Sequence, residues 1–161
     1  MIDSIDFAKI IITRTNSINE NGGKLDKISL GETKLHKLLY VCDGFLLAAN
    51  VNIIGENARA WNYGPVYPRV NTWLKKTPDA FSVKYDAPPE VKSIINENVI
   101  ELTDYVINYF GSWSVNELSN WSHSPGSPWE TALKKGKGVM NSVIEKNDMK
   151  KYFKGMFSDN P

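Results

Sequence analysis

The sequence predicts a mainly α fold: a single compact helical domain around a central helix at about residues 30–49, with a small two- or three-stranded β element near residues 51–66. Three observations carry this expectation. Leu35, Leu38, Leu39, Cys42, Phe45, Leu46 and Ala49 recur at the spacing of one wide helical face, and a stripe that wide needs neighbours on more than one side. Helix starts and stops punctuate the rest of the chain at short intervals. Between them, β-branched Val51, Ile53 and Ile54 run into Gly55 and then into an uncharged aromatic turn, Ala60-Trp61-Asn62-Tyr63-Gly64-Pro65-Val66-Tyr67-Pro68. With 161 residues, 42% of them hydrophobic and 23% charged, the chain suits one domain over 1–161 that buries a core without disulfides.

Taken in order, Ser4 to about Glu20 forms a first helix, with Phe7, Ile10, Ile11, Arg14 and Ile18 on one face. Asp3 or Ser4 caps it, and Asn21-Gly22-Gly23 ends it. Lys24 to Ile28 is a connector. Ser29-Leu30-Gly31-Glu32 has capping-box spacing and opens the central helix. Asn50 to Trp61 forms a small hairpin or two short extended pieces. Pro68 then stands in the first turn of a helix to about Lys75, which Thr77-Pro78 ends. Asp79 to Pro89 is a surface loop. Glu90 to Phe110 reads as helical with a break near Asn96–Asn98, burying Val91, Ile94, Ile95, Val99, Leu102, Val106, Tyr109 and Phe110. Ser114 with Glu117, and Ser127 with Glu130, repeat the capping-box spacing at two further helix starts, the second with Pro128 at the first helical position. Val143 to Lys146 is extended, and Asn147 caps a last helix striped by Met149, Tyr152, Phe153, Met156 and Phe157.

The aromatic turn admits two roles. In one, Trp61 and Tyr63 anchor neighbouring elements to the core. In the other, Tyr63, Val66, Tyr67 and Arg69 form a rigid knob offered to a partner, since rings and arginine dominate interface hot spots.

Charge and composition narrow the function. Net charge is +1, so there is no global field for nucleic acid, and the lysine-rich stretch after Thr131 has no arginine for bidentate base reading. Residues 79–117 carry seven acids against two lysines, an alternative docking face. The longest apolar run, Phe45 to Ala49, is too short to span a bilayer. The acidic start lacks the basic region of a signal peptide, and one cysteine fits a reducing cytoplasm. No His or Cys pair has metal-ligand spacing, and no glycine-rich phosphate loop follows a strand, so neither metal nor cofactor is expected. Cys42 falls on the apolar stripe as a buried, inert thiol. His36 and Asp43 lie two turns apart and form no evident dyad. Ser122-His123-Ser124 holds a base beside hydroxyls, but no third group is identifiable to orient the ring. On residue chemistry this is a binding protein with no catalytic group; a hydrolase-like enzyme using His123 is the alternative.

Three pieces together resemble a known family. They are Lys37-Leu38-Leu39-Tyr40-Val41-Cys42-Asp43-Gly44-Phe45, then Ala60 to Val66, then Leu118-Ser119-Asn120-Trp121-Ser122-His123 running into Gly126-Ser127-Pro128-Trp129-Glu130. Their order and separation resemble the Panacea domain, or SocA-like antitoxin domain, of bacterial and prophage proteins, over about Phe7 to Phe153. Trp121-Ser122-His123 departs from the Leu-Thr-His common in the family but keeps the hydroxyl. The resemblance implies a helical fold and the antitoxin of a type II toxin–antitoxin pair, acting in the cytoplasm by direct contact with a protein toxin, including small-alarmone-synthetase-like toxins. It also implies an alternative, an adaptor delivering the toxin to an AAA+ protease. Some members carry an extra N-terminal DNA-binding domain, for which this chain is expected to have no room. No catalytic activity is assigned to the family. Trp61, Gly64, Pro65, His123, Ser127, Pro128, Trp129 and Glu130 are the motif residues, expected to be structural. The state of assembly, a homodimer or a hetero-oligomer with the toxin, is left open.

Overall fold

The computed structural model describes residues 1–22 and 27–158, with only the backbone of Ser158. Most of the connector after Gly22 therefore lies outside the described residues, as does the end from Asp159. Helix α1 (Ser4–Asn21) starts where Asp3 accepts the Ile5 N–H. The central helix α2 (Glu32–Ala48) starts two residues later than the sequence suggests. The expected Ser29 capping box does not form: extended Gly31 is the N-cap and supplies no side-chain bond. The helix also exceeds the predicted stripe. Every residue from Lys34 to Leu47 is buried, polar ones included, because α2 packs at once against α1, against helices from later in the chain and against the sheet.

The β element is a hairpin of β1 (Arg59–Trp61) and β2 (Gly64–Val66) joined by Asn62-Tyr63. Its third strand comes from far along the chain: β3 (Ser142–Val143) pairs antiparallel with β1, giving the order β2-β1-β3. Pro65, which has no N–H to donate, is tolerated because β2 is an edge strand. Val51 and Ile53 enter no strand, and Ile54 makes a single parallel bridge to Ile2.

Helix α3 (Pro68–Lys76) has Pro68 in its first turn. The expected break separates α4 (Pro89–Lys92) from α5 (Glu97–Phe110), and Asn96 caps α5 through the Val99 N–H. Tyr109 departs from prediction: it lies outside the core, stacked on Tyr105, and Thr103 and Ile107 are buried instead. Helix α6 (Val115–Ser122) has the full reciprocal capping box of Ser114 and Glu117. Ser127 caps α7 (Pro128–Lys135) through the Glu130 N–H, whereas the Glu130 carboxylate reaches back to the Gly126 N–H and not to Ser127. Helix α8 (Lys146–Ser158) already includes Lys146, so Asn147 is inside it and does not cap it.

A closed ring of aromatic contacts holds the helices together. Phe45 of α2 meets Phe153 of α8 and Phe110 of α5, and both meet Trp121 of α6, with centroids 5.3 to 6.3 Å apart. Gly44 sets the α2–α8 distance, since a Cβ there would collide with the Phe153 ring.

Candidate functional site

The three sequence motifs are far apart in the chain and meet at the hairpin. Two side-chain donors clamp it: the Trp129 indole N–H donates to the Trp61 carbonyl at 2.8 Å, and the Ser119 hydroxyl to the Tyr63 carbonyl at 3.1 Å. The Trp61 indole in turn donates to Asn141 at 2.9 Å. Gly64 has φ of +114°, and a Cβ there would strike the Lys37 side chain and the Ser122 hydroxyl. The glycine of the second motif therefore lets β2 pass directly over the lysine of the first.

Beneath the hairpin, α2 presents buried polar groups. The Tyr67 N–H donates to His36 Nδ1 at 3.2 Å. That bond places the imidazole proton on Nε2, which is buried and has no acceptor. Burial first, and the Lys37 charge second, push the His36 pKa down to about 3. Lys37 is 2% exposed. Its ammonium makes no hydrogen bond or ion pair among the described residues, and burial lowers its pKa to about 8. A cleft of about 160 Å³ opens here, lined by Glu32 and Thr33 as well as His36, Lys37, Trp61, Tyr63, Val66 and Asn71.

Two turns along α2, Asp43 is 1% exposed but fully engaged. It accepts from the Tyr67 hydroxyl at 2.8 Å and from Lys146 Nζ at 3.0 Å, and Lys146 also donates to the Ile54 carbonyl at 2.9 Å. Burial raises the Asp43 carboxyl, against the opposing pull of Lys146 and Tyr67. His36 and Asp43 are thus linked after all, through the backbone and the hydroxyl of Tyr67.

The residues expected to form a contact knob separate. Tyr63 is 76% exposed at the hairpin tip. Arg69 is at the surface but engaged, its guanidinium paired with Asp3 and its N–H donated to Glu56. Val66 and Tyr67 do not belong to an exposed knob: both are buried, Tyr67 completely, because its ring and hydroxyl fill the space between α2 and α3 beside Asp43. The His123 ring lies flat on Trp129, centroids 3.9 Å apart. The neighbouring hydroxyls turn away from it, Ser122 donating to Ser119 and Ser124 to Trp121. The Cys42 thiol is fully buried, and burial raises its pKa. Among the described residues no His, Cys, Asp and Glu cluster is placed to hold a metal, and no helix is long and apolar enough to cross a membrane.

Sequence reasoning missed His36 and Lys37 as a pair. The available signal was two adjacent titratable residues set among the apolar positions Leu35, Leu38 and Leu39 of the central helix.

Fold and site together define a small α-rich domain whose hairpin borders a small cleft. The chain belongs to the family of antitoxin SocA-like, Panacea domains, whose model matches residues 35–130. That stretch contains the hairpin, its Ser119 and Trp129 clamps, and all the cleft residues except Glu32 and Thr33, which precede it. Membership supports an antitoxin role, with a protein toxin as the general class of partner. No curated protein and no solved structure matches the chain.

Proposed function

We propose that this chain is a cytoplasmic, single-domain antitoxin of a type II pair, and that it neutralises a cognate toxin by direct contact through the hairpin face. The observation that carries this is the state of Tyr63. Its ring is exposed, yet its backbone is clamped to α6 by Ser119. It also borders an open groove of about 350 Å³ shared with Trp61, Asn62, Met140 and Asn141. A preorganised exposed ring binds with little ordering cost, which favours hot-spot behaviour. Exposed Val139 and Met140 extend the apolar surface beside it. A toxin of the small-alarmone-synthetase-like kind is one partner that the family resemblance implies.

A second docking face is favoured by its own observation: the stacked, exposed Tyr105 and Tyr109 on α5, the helix that also carries exposed Glu97 and Glu101.

Co-expression with the product of the adjacent gene tests the reading. The expected result is toxicity relieved by this chain and a complex that survives gel filtration. Tyr63→Ala should weaken that complex by more than about 1 kcal/mol. Charge reversal at Glu97 and Glu101 should change mainly the association rate if α5 is the face. Repeating the assay without AAA+ proteases separates the two modes: an antitoxin that works by binding keeps its effect, and an adaptor loses it. A harmless neighbour with no complex ends the antitoxin reading. Turnover of any substrate that is lost in folded His123→Ala would establish the hydrolase instead.

A further inference from the structure

We propose that the cleft between the start of α2 and the hairpin is a carboxylate-binding site, and that in the complex it receives an Asp or Glu side chain of the protein partner; the partner rests on the toxin-binding reading above. The argument is one of unmatched donors. His36 accepts the Tyr67 N–H at Nδ1, so its Nε2 carries a hydrogen, and that donor is buried with nothing to receive it. The adjacent Lys37 brings an ammonium into the same cleft, also without an acceptor among the described residues. Glu32 at the mouth is exposed and forms no ion pair with it among those residues. Buried polar and charged groups are ordinarily paired. Both residues line the same cleft, and a cation beside an N–H donor is complemented by a group with negative charge and two acceptor oxygens.

Size and surroundings select the source. About 160 Å³ admits one carboxyl-bearing side chain, and is below the range of sites that enclose drug-sized ligands. Trp61 and Tyr63 line both this cleft and the more apolar groove shared with Met140. A partner segment with one acid beside apolar residues would therefore engage both at once. Gly64 keeps the arrangement possible, because any side chain there would displace the Lys37 amine. The free protein bears the cost of a largely desolvated cation without an acceptor among the described residues, and the bound carboxylate relieves it, the pattern expected where stability yields to function.

Three experiments test this. In the first, Lys37→Met should melt at a higher temperature than the wild type, while its toxin complex dissociates about tenfold or more readily. A lower melting temperature with unchanged toxin affinity assigns Lys37 a structural role and overturns the proposal. In the second, the wild-type chain is used, so misfolding of a variant is not an issue: the Lys37 amine is titrated by NMR, free and bound. Pairing with a carboxylate raises its pKa on complex formation, whereas simple covering lowers it further and sinks the idea. Acetate is the probe for the chemistry alone, followed at the Trp61 indole signal. An acetate shift abolished in Lys37→Met supports the carboxylate site even if no toxin complex exists, an outcome that would remove the antitoxin reading and the partner named here. Strong acetate binding with a toxin affinity indifferent to Lys37→Met would make the ligand a free small acid and overturn the partner assignment.

Discussion

Lys37 and Asp43 are opposite charges on the same helix, and both are almost wholly buried. Asp43 is answered from two distant segments, by the Tyr67 hydroxyl and by Lys146. Lys37 is answered by nothing among the described residues. The difference teaches how to tell a polar group that holds a fold from one kept for something else. The first is surrounded by partners that would suffer if it were removed. The second sits in an opening and would be better replaced by a methionine, as far as the free chain is concerned.

The comparison can be broken in several places. The largest effect should come from Lys146→Ala, which strands the Asp43 carboxylate; urea denaturation should show a loss of about 3–5 kcal/mol. A loss below half a kcal/mol would mean that Asp43 needs no counter-charge. Lys37→Met should go the other way. Its folded-state pKa of about 8 lies below the ordinary 10.5, so the unfolded chain holds more protons between those values. Wild-type stability therefore rises with pH across that window, and the penalty is fully present below pH 8. The variant should gain up to roughly 3 kcal/mol at neutral pH, and the gain should fade by pH 10.5.

His36 sharpens the same contrast on the acid side. With a folded pKa near 3 against 6.5, it is the unfolded chain that takes up the proton as pH falls. Its contribution is complete above pH 6.5 and declines below it by about 1.4 kcal/mol per unit, or roughly 2 kcal/mol by pH 5. Comparing melts of the wild type and His36→Asn isolates this slope; identical pH profiles would show that the ring is not held neutral. The smallest effect belongs to Tyr67→Phe, which removes one of the bonds to Asp43 and should cost about 1.5 kcal/mol in the same urea assay. An unchanged midpoint would make Lys146 sufficient alone.

How much of this was legible depended on reach along the chain. The Ser114–Glu117 box, the Ser127 cap, Pro68 and Pro128 at helix starts and the break before Asn96 all act within four residues, and the structure has each of them. Ser29 shows the limit of such patterns. It has the right spacing to Glu32, but Gly31 stays extended and the helix begins past it. Tyr67 shows another limit: an aromatic beside a proline turn looks the same in sequence whether it faces solvent or meets a carboxylate from a helix 24 residues earlier.

By itself the sequence determined the helical class, the central place of α2, most helix starts, and the three motifs that carry the family resemblance. These rest on local hydrogen bonding and on apolar periodicity, which the order of residues expresses directly. Tertiary structure alone decided that β3 joins β1 from far along the chain, that Lys146 answers Asp43, that Lys37 ends up beneath Gly64, and that His36 Nε2 is left without an acceptor. Those outcomes depend on which surfaces meet when the helices pack, and a donor becomes unmatched only once burial has removed the water that would have matched it.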